Sequence, residues 1–390
     1  MAPHEGLVHP KEYDIKDSNV ELIGTDLDHR VKYNSASTEP AWNDGKVGQT
    51  PGLFIWRVEN FEVVPWPKER AGEFYDGDSY IVLHTYKVGD DKFGHDIFFW
   101  LGSKTTQDEA GTAAYKTVEL DEFLHGAATQ HRETQQRPSD EFIALFRHVS
   151  IRAGGVRSGF THVEPEEPKE VLTLLRVFKH PSAGRSIIVY EVEPTWESLD
   201  DNDVFVLDKG DKIWVWQGKN CSPMEKARAA QVVNDMTLAK HIDVEVLAQH
   251  EARSRVIVGL LGGREANQSS FQAPRPGRFN NPATGGSAQS RKLFKLSDAS
   301  GTLSLDLVKD GQRVSKSDLD GNDVFLYDSG DRLWVWEGAA ASKQEKALWL
   351  KVAQYYIRQI QESVAEAYLT PIIKVAEGYE SPSFLKALEV

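Results

Sequence analysis

The stretch LDDNDVFVLDKGDKIWVWQG at residues 199–218 has a near copy, LDGNDVFLYDSGDRLWVWEG, at residues 319–338. The two copies align without a gap, so that Asp203 of the first corresponds to Asp323 of the second. Each copy consists of an apolar strand, a turn rich in Gly and Asp, and an aromatic strand that ends in Gly. This pattern is typical of a β-hairpin. We predict that each hairpin lies in a central sheet.

A third, looser copy lies earlier, in FYDGDSYIVLHTY at residues 74–86 and HDIFFWLG at residues 95–102, with Asp78 in the place of Asp203. A helical pattern follows each hairpin. These patterns cover residues 105–124, 222–236 and 342–360. The period of about 120 residues between the two close copies is too long for a solenoid unit and has the size of a small domain. The sequence therefore predicts an α+β fold of three domains, each with a mixed central sheet and a long helix packed on it.

The composition between the copies predicts the domain boundaries. Residues 1–50 are polar and are expected to form an N-terminal extension. The three domains then cover residues 51–162, 168–262 and 291–390. The stretch 263–290 is rich in Gly, Pro, Ser, Asn and Gln, which is typical of a flexible or extended linker.

Charge and cysteine content restrict the class of protein. The net charge of −14 argues against a nucleic-acid binder of the ordinary basic kind. The single cysteine, Cys221, permits no internal disulfide, which fits a reducing compartment. The N-terminus lacks the apolar core of a signal peptide, and no run of about 18 apolar residues occurs. We expect a cytoplasmic protein that is not integral to a membrane.

Each predicted helix begins with Ser or Thr followed three residues later by Glu. These pairs are Thr106 and Glu109, Ser222 and Glu225, and Ser342 and Glu345. One interpretation is a capping box, in which the Glu side chain accepts from the N–H of the cap residue and has a purely structural role. The other is that each Glu faces the Asp of its own hairpin across a bound cation, because two facing carboxylates otherwise repel. Oxygen ligands of this kind favour Ca²⁺, and the lack of a Cys/His cluster argues against zinc.

Paired carboxylates also occur in glycosidases. Three degenerate copies on three small domains do not fit that activity, because one active site per chain would be expected. No GxSxG, Walker or HExxH pattern is present. We therefore expect a protein that is not an enzyme.

The first long helix carries two apolar faces. At about 100° per residue, Ala113, Thr117 and Leu120 fall on one side, which is the expected core face. The second face and the two residues between the faces comprise Gly111, Ala114, Tyr115, Val118 and Asp121. One interpretation of the second face is burial against a loop or a neighbouring domain. The other is an exposed helix that docks in a groove on a partner.

These motifs resemble the gelsolin superfamily. The resemblance is carried by DGDSYIVLHTY (76–86), HDIFFWLG (95–102), TQDEAGTAAYKTVELDEFL (106–124) and GGVRSGFTHVEP (154–165). It covers about residues 18–390 and is densest over residues 51–162. The three copies, with the leader motifs GTDLD and ASTEPAW, are similar to the severin and fragmin group. The resemblance implies three gelsolin-like domains, each a mixed central β-sheet flanked by a long and a short helix.

For function, the resemblance implies a monomeric, calcium-regulated protein of the cytoskeleton that severs actin filaments and caps their barbed ends. Domain 1 would bind an actin monomer through the second face of its long helix, and domain 2 would bind the filament side. Two alternatives stay open. One is capping or bundling without severing, and the other is a signalling adaptor that responds to calcium and phosphoinositides.

The resemblance also implies the calcium ligands. They are Gly77, Asp78, Glu109 and Val156 in domain 1, Asn202, Asp203 and Glu225 in domain 2, Asn322, Asp323 and Glu345 in domain 3, and Asp121 with Gly126 and Ala128 at a site shared with actin. The Gly and Ala residues, the two Asn residues and Val156 would contribute backbone carbonyls. The family pattern has Gly where copies two and three have Asn, which is a mild departure because only the carbonyl is needed. In the stretch after domain 2, GREANQSSFQ, only Glu265 offers a carboxylate as a fourth ligand.

Phosphoinositide binding in the family depends on basic segments near the junction of the first two domains. The candidates in this chain are Arg147, Arg152, Arg157, Arg176, Lys179 and Arg185. These residues are scattered along the sequence. A solvated basic surface is therefore an equally good interpretation.

Overall fold

A computed structural model describes residues 36–88, 92–156, 172–180, 186–238, 242–263, 270–275, 291–298, 304–361 and 370–389. Over these residues the strands form two sheets, and helices pack on them. No helix in this part of the chain combines the length and the apolarity needed to cross a membrane.

Domain 1 contains both of its predicted features, the hairpin and the long helix. Its elements are strands β1 (Gly52–Glu59), β2 (Glu62–Pro65), β3 (Glu73–Tyr75), β4 (Ser79–Val88) and β5 (Lys92–Leu101), helix α1 (Gln107–Phe123), strand β6 (Ala128–Thr134), helix α2 (Asp140–Ala144) and strand β7 (Val149–Arg152). The hairpin strands β4 and β5 are antiparallel, whereas β5 and β6 are parallel, so the sheet is mixed. Helix α1 packs on this sheet with Ala113 and Leu120 fully buried.

Domain 2 repeats the arrangement. Its elements are strands β8 (Thr173–Lys179), β9 (Ile187–Val192), β10 (Val204–Asp208) and β11 (Lys212–Gln217), helix α3 (Pro223–Leu238), strand β12 (Asp243–Ala248) and helix α4 (Arg255–Leu260). The strand order is β12-β11-β10-β8-β9-β7-β3, so two short strands of domain 1 extend the sheet of domain 2.

Domain 3 completes the set. Its elements are strands β13 (Lys292–Ser297), β14 (Ser304–Asp310), β15 (Val324–Asp328) and β16 (Leu333–Glu337), helix α5 (Lys343–Gln361), strand β17 (Ile372–Ala376) and helix α6 (Pro382–Glu389). The larger sheet has the order β14-β13-β15-β16-β17-β6-β5-β4-β1-β2. The sheets of domains 3 and 1 are therefore joined edge to edge through β17 and β6. The predicted α+β class, with a long and a short helix in each domain, is confirmed.

The predicted N-terminal boundary at residue 51 is corrected by the packing of the segment 36–50. Trp42 is fully buried, and its ring meets Trp56 edge to face at 5.7 Å. Trp56 also donates from Nε1 to the carbonyl of Ala41 at 3.1 Å. The segment is polar on average, but Trp42 packs in the core of domain 1. The described part of the extension therefore belongs to domain 1.

The predicted linker is corrected in the same way at residues 270–275. Phe271 is buried and contacts Trp216 edge to face at 5.4 Å, and Gln272 forms a β-bridge with Asp200. This segment therefore returns to domain 2 and closes one side of its core. The rest of the predicted linker lies outside the described residues.

Candidate functional site

The acidic residue that opens each hairpin is fixed by the glycine that ends it. Three backbone N–H groups donate to three Asp carbonyls, Gly102 to Asp78 at 3.0 Å, Gly218 to Asp203 at 3.0 Å and Gly338 to Asp323 at 3.1 Å. A Cβ at any of these glycines would lie within 2.8 Å of that same carbonyl oxygen. A larger residue would therefore displace the acidic loop, which explains why all three copies end in Gly.

Each of these aspartates has a basic partner on the neighbouring strand, which the sequence analysis missed. The pairs are Arg57 with Asp78 at 3.4 Å, Arg176 with Asp203 at 2.6 Å and Lys295 with Asp323 at 2.5 Å. In each domain the basic residue lies opposite the residue two positions after the Asp. The available signal was an Arg or Lys that interrupts the apolar run of each first strand, in FIWRV, LLRVF and LFKL.

The capping boxes form in all three domains. Each Glu N–H donates to the cap hydroxyl at 3.1–3.3 Å, and each cap N–H donates to Glu Oε2 at 2.7–3.3 Å. The hydrogen bonds of the first interpretation are therefore present, and a cation role for these glutamates stays a prediction. Because the box uses only Oε2, the surroundings of Oε1 decide whether a Glu can also bind a cation.

In domain 1 the second carboxylate oxygen of the capping Glu takes no part in the capping box. Glu109 is 3% exposed, and its Oε1 is buried with no hydrogen-bond partner among the described residues. Burial raises the pKa of Asp78, and the charge of Glu109 adds to this, which indicates that the two carboxylates are close. Asp78 Oδ1 accepts from the N–H of Val156 at 2.8 Å. Two buried carboxylates with an unused oxygen fit a hard divalent cation.

The loops around this pair are held close together. Gly77 donates its N–H to the carbonyl of Gly154 at 2.8 Å, and Val156 lies two residues further along that chain. A Cβ on Gly155 would lie only 2.2 Å from Asp78 Oδ1, so the close approach requires glycine. The predicted ligands Gly77, Asp78, Glu109 and Val156 are thus brought to one place. That the carbonyls of Gly77 and Val156 bind the ion stays a prediction.

In domain 2 the predicted ligands also come together, but their oxygens already have donors. Glu225 Oε1 accepts from the N–H of Lys179 at 3.0 Å. Asp203 accepts from Arg176 on one oxygen and from Arg275 on the other. As arranged here, the domain 2 set does not fit a bound metal ion. Glu265 lies outside the described residues.

In domain 3 a third carboxylate, missed from the sequence, joins the predicted pair. Asp298 donates its N–H to Glu345 Oε1 at 2.8 Å and accepts from the Ser342 hydroxyl at 2.6 Å. Burial raises the pKa of Glu345, and the charges of Asp298 and Asp323 raise it further. Asn322 donates to Asp320 Oδ1 from its backbone N–H and from its side-chain amide. This set has an excess of negative charge over Lys295, but both Glu345 oxygens are in use.

All these sets would depend on two or three carboxylates and backbone carbonyls. Within the described ranges no group of three or more His, Cys, Asp or Glu side chains has the geometry of a metal site.

The second face of α1 is exposed at Gly111 and Tyr115. Tyr115 is 52% exposed, and no atom lies within 4 Å of the Cβ position of Gly111. Ala114 and Val118 are half-buried beside them. Of the two interpretations of this face, cover by a neighbouring domain is not realised by the described residues. Among the described residues nothing covers Tyr115, and contact with a partner at this face stays a prediction.

The face ends at Asp121, which is 4% exposed. Its Oδ1 accepts from the Ala128 N–H at 3.0 Å, and the Gly126 N–H donates to its carbonyl at 2.8 Å, so the three residues predicted for the shared site do meet. Lys374 of domain 3 places its Nζ 3.7 Å from Asp121 Oδ2. Burial raises the pKa of Asp121 although Lys374 opposes it. In this arrangement the carboxylate is enclosed by Ala128 and Gln130 of its own domain and by Lys374 of domain 3, and it is not accessible to a partner.

Domain 3 reaches Asp121 because of the joined sheet. The antiparallel register pairs Ile372 with Arg132, Ile373 with His131 and Lys374 with Gln130. Two further contacts flank it, since Arg332 pairs with Glu141 at 2.9 Å and Arg137 donates to the Asp331 carbonyl at 2.7 Å. We refer to the pairing of β6 with β17 and the Lys374–Asp121 contact as the latch.

The structure corrects one of the basic residues predicted to contact phosphoinositides. Arg176 is 2% exposed and donates to Asp203 and to the carbonyls of Ala273 and Pro274, so it cannot reach a headgroup. Arg147 and Lys179 are exposed, and Arg152 pairs with Glu191 at 3.0 Å. For these three the role stays a prediction. Arg157 and Arg185 lie outside the described residues.

Comparison with known proteins fits this threefold repeat. The gelsolin repeat family matches residues 60–143, 185–264 and 309–385. Gelsolin-like protein 1 of Lumbricus terrestris is 37% identical over 98% of this chain and 99% of its own length. Severin of Echinococcus granulosus is 35% identical, also over 98% and 99%. A solved complex of Thorarchaeota 2DGel3 with rabbit actin matches 51% of this chain and 94% of its own, at 26% identity and a TM-score of 0.23. With three matched repeats and relatives similar from end to end, this chain belongs to the gelsolin family.

Proposed function

We propose that this protein is a non-enzymatic, calcium-regulated actin-binding protein that severs filaments and caps their barbed ends. The observation that carries the proposal is the state of helix α1. Its outer face around Tyr115 is exposed, while its end at Asp121 is held by Lys374 of domain 3. Partial accessibility of an actin-binding helix fits a protein whose binding to actin is regulated. A relative similar over nearly its whole length carries the name severin, which supports severing over bundling.

Calcium fits best in domain 1. Asp78, Glu109 and the carbonyls of Gly77 and Val156 would hold it, and Asp121 with Gly126 and Ala128 would form a second set once the latch is open. The bound ion supplies positive charge to oxygens such as Glu109 Oε1 that lack a donor in the described residues.

Activation then consists of movements of this chain. Lys374 leaves Asp121, β17 separates from β6, and the end of α1 faces solvent. Because the ligand-bound form favours the open arrangement, calcium shifts an equilibrium that exists without it. Domain 2 holds the filament side, while α1 enters the contact between neighbouring actin subunits and remains there as the cap. The protein would act at the cytoskeleton of the cytoplasm.

The combined variant Asp78→Asn with Glu109→Gln tests the calcium set. Removing both charges is expected to weaken calcium binding at this site at least 10-fold, because the ion would keep only neutral oxygen ligands. Isothermal titration calorimetry measures the affinity, and filament severing is expected to shift to higher calcium in parallel.

Asp108→Asn is the matched control, since Asp108 is an exposed carboxylate of the same helix, one position before Glu109. It should leave the titration unchanged. If the double variant also titrates like the unmodified protein, Glu109 has only its capping role and the proposed calcium set is wrong.

A further inference from the structure

We propose that domain 2 carries its own cation, because the guanidinium of Arg275 lies where the gelsolin pattern would place a calcium ion. The carboxylates of domain 2 would then be neutralised without a metal ion, and the calcium response would come from the other domains. The inference concerns Arg275, which lies in the stretch predicted from composition to be a flexible or extended linker.

The contacts of Arg275 reach every predicted ligand of this set. Its Nε donates to Asp203 Oδ1 at 3.0 Å, and its Nη2 makes a second, shorter contact with the same oxygen. Nη2 lies 3.5 Å from the carbonyl of Asn202 and 3.7 Å from Glu225 Oε1. One planar cation therefore contacts the carbonyl and both carboxylates from which a calcium site would be built.

The charge of the set is also balanced. Asp203 is fully buried, and its other oxygen accepts from Arg176, which is itself 2% exposed. The two carboxylates predicted as ligands thus face two guanidiniums. Arg176 also lies 3.9 Å from Asp200 Oδ2. In the described part of domain 1, only the aspartate of the equivalent pair contacts a guanidinium, that of Arg57, which is also paired with Glu59. A divalent cation added to domain 2 would have to displace a guanidinium. In domain 1 it would compensate negative charge that has no basic partner among the described residues.

Arg275 is held in position by the segment that carries it. Phe271 of this segment is buried in the domain 2 core, and its N–H donates to Asp201 at 2.9 Å. Arg176 also donates to the carbonyls of Ala273 and Pro274. The guanidinium of Arg176 therefore holds the backbone segment that carries Arg275. The side chain of Arg275 is itself 29% exposed, and its replacement leaves the buried anchors in place.

Calcium titration of the intact chain tests the proposal. In the unmodified protein, Asp203→Asn is expected to leave the number of bound calcium ions unchanged, because domain 2 binds none. In Arg275→Gln the number is expected to rise by one, and Asp203→Asn in that background should remove the added site. Thermal unfolding of Arg275→Gln should become more dependent on calcium than that of the unmodified protein.

Arg253→Gln is the control, since Arg253 is a 75% exposed arginine of the same domain that pairs with Glu245. It should not change the count. Circular dichroism checks folding, and Glu225→Gln replaces Asp203→Asn if the latter does not fold. Loss of one ion from the unmodified protein on Asp203→Asn, or no added ion in Arg275→Gln, would overturn the proposal. The titration contains no actin, so its result is separate from whether the protein severs filaments.

Discussion

Replacing Lys374 with glutamate is expected to yield a protein that severs filaments in the presence of a chelator. In the closed arrangement Lys374 lies 3.7 Å from Asp121 and 3.1 Å from Glu337, and its side chain is only 13% exposed. Burial opposes its charge, but Glu337 and Asp121 together raise the pKa of Lys374 above its usual value. Removing one member of such a buried group typically costs about 3–5 kcal/mol, and a third carboxylate adds repulsion.

The part of this cost that involves Asp121 falls on the closed state alone, because Asp121 belongs to domain 1, whereas Glu337 lies beside Lys374 in domain 3. Against it stand the three-residue β6–β17 register and the flanking Arg332–Glu141 and Arg137–Asp331 contacts. Small-angle scattering in chelator should show a larger radius of gyration for Lys374→Glu than for the unmodified protein, with severing in parallel. Lys386→Glu, an exposed lysine of domain 3 on α6, is the control and should remain compact. A compact, calcium-dependent Lys374→Glu protein would show that the latch does not control activity.

The double variant Tyr115→Asp with Val118→Asp is expected to lose actin-monomer binding. Tyr115 is 52% exposed and projects from the open face of α1, so its replacement removes no contact on which the core of domain 1 depends. Aromatic anchors at protein interfaces typically contribute 2 kcal/mol or more, and a buried unpaired carboxylate adds to the loss. The two changes together should weaken monomer binding by roughly 1000-fold, which corresponds to about 4 kcal/mol.

Sedimentation velocity with labelled actin monomers measures this loss, and circular dichroism confirms that the domain is folded. Tyr355→Asp provides the matched control, because Tyr355 is 58% exposed on α5, the equivalent helix of domain 3. It should bind monomers normally. Retained affinity in the double variant would mean that the second face of α1 is not the actin contact.

The parts of the fold that the sequence predicted are those encoded locally. The hairpins, the capping boxes and the helices follow from periodicity and spacing within about 50 residues. The angle between two sets of residues on one helix predicted a second face on α1, and the structure shows that Tyr115 on this face is exposed. The three predicted carboxylate pairs also meet, because a helix that follows a hairpin packs back on the same sheet.

The contacts that the sequence did not predict are those between residues distant along the chain. Arg275 reaches Asp203 only because Phe271 returns the supposed linker to the domain 2 core. Lys374 reaches Asp121 only because two domains share a sheet edge. Neither event leaves a periodic signal. Trp42 was missed for a different reason, since a single large anchor in a polar segment does not alter its average composition.

The same distinction explains why three similar motifs give three different candidate sites. Locally, Asp78, Asp203 and Asp323 are equivalent, and each faces a capping Glu. The basic residues that surround them, and Asp298 beside Glu345, decide how much negative charge remains. Those neighbours come from other strands and from the linker, so the identity of a motif alone does not predict whether it binds a metal ion.

The central claim is that calcium turns on severing by this chain. It is tested most directly by watching single fluorescent actin filaments in a flow cell while the unmodified protein is added, first with chelator and then with calcium. We expect intact filaments in chelator and, with calcium, breaks along the filaments whose new barbed ends do not grow. Filaments that stop growing without breaking would identify a capping protein, and breakage that is equal in chelator would contradict calcium control.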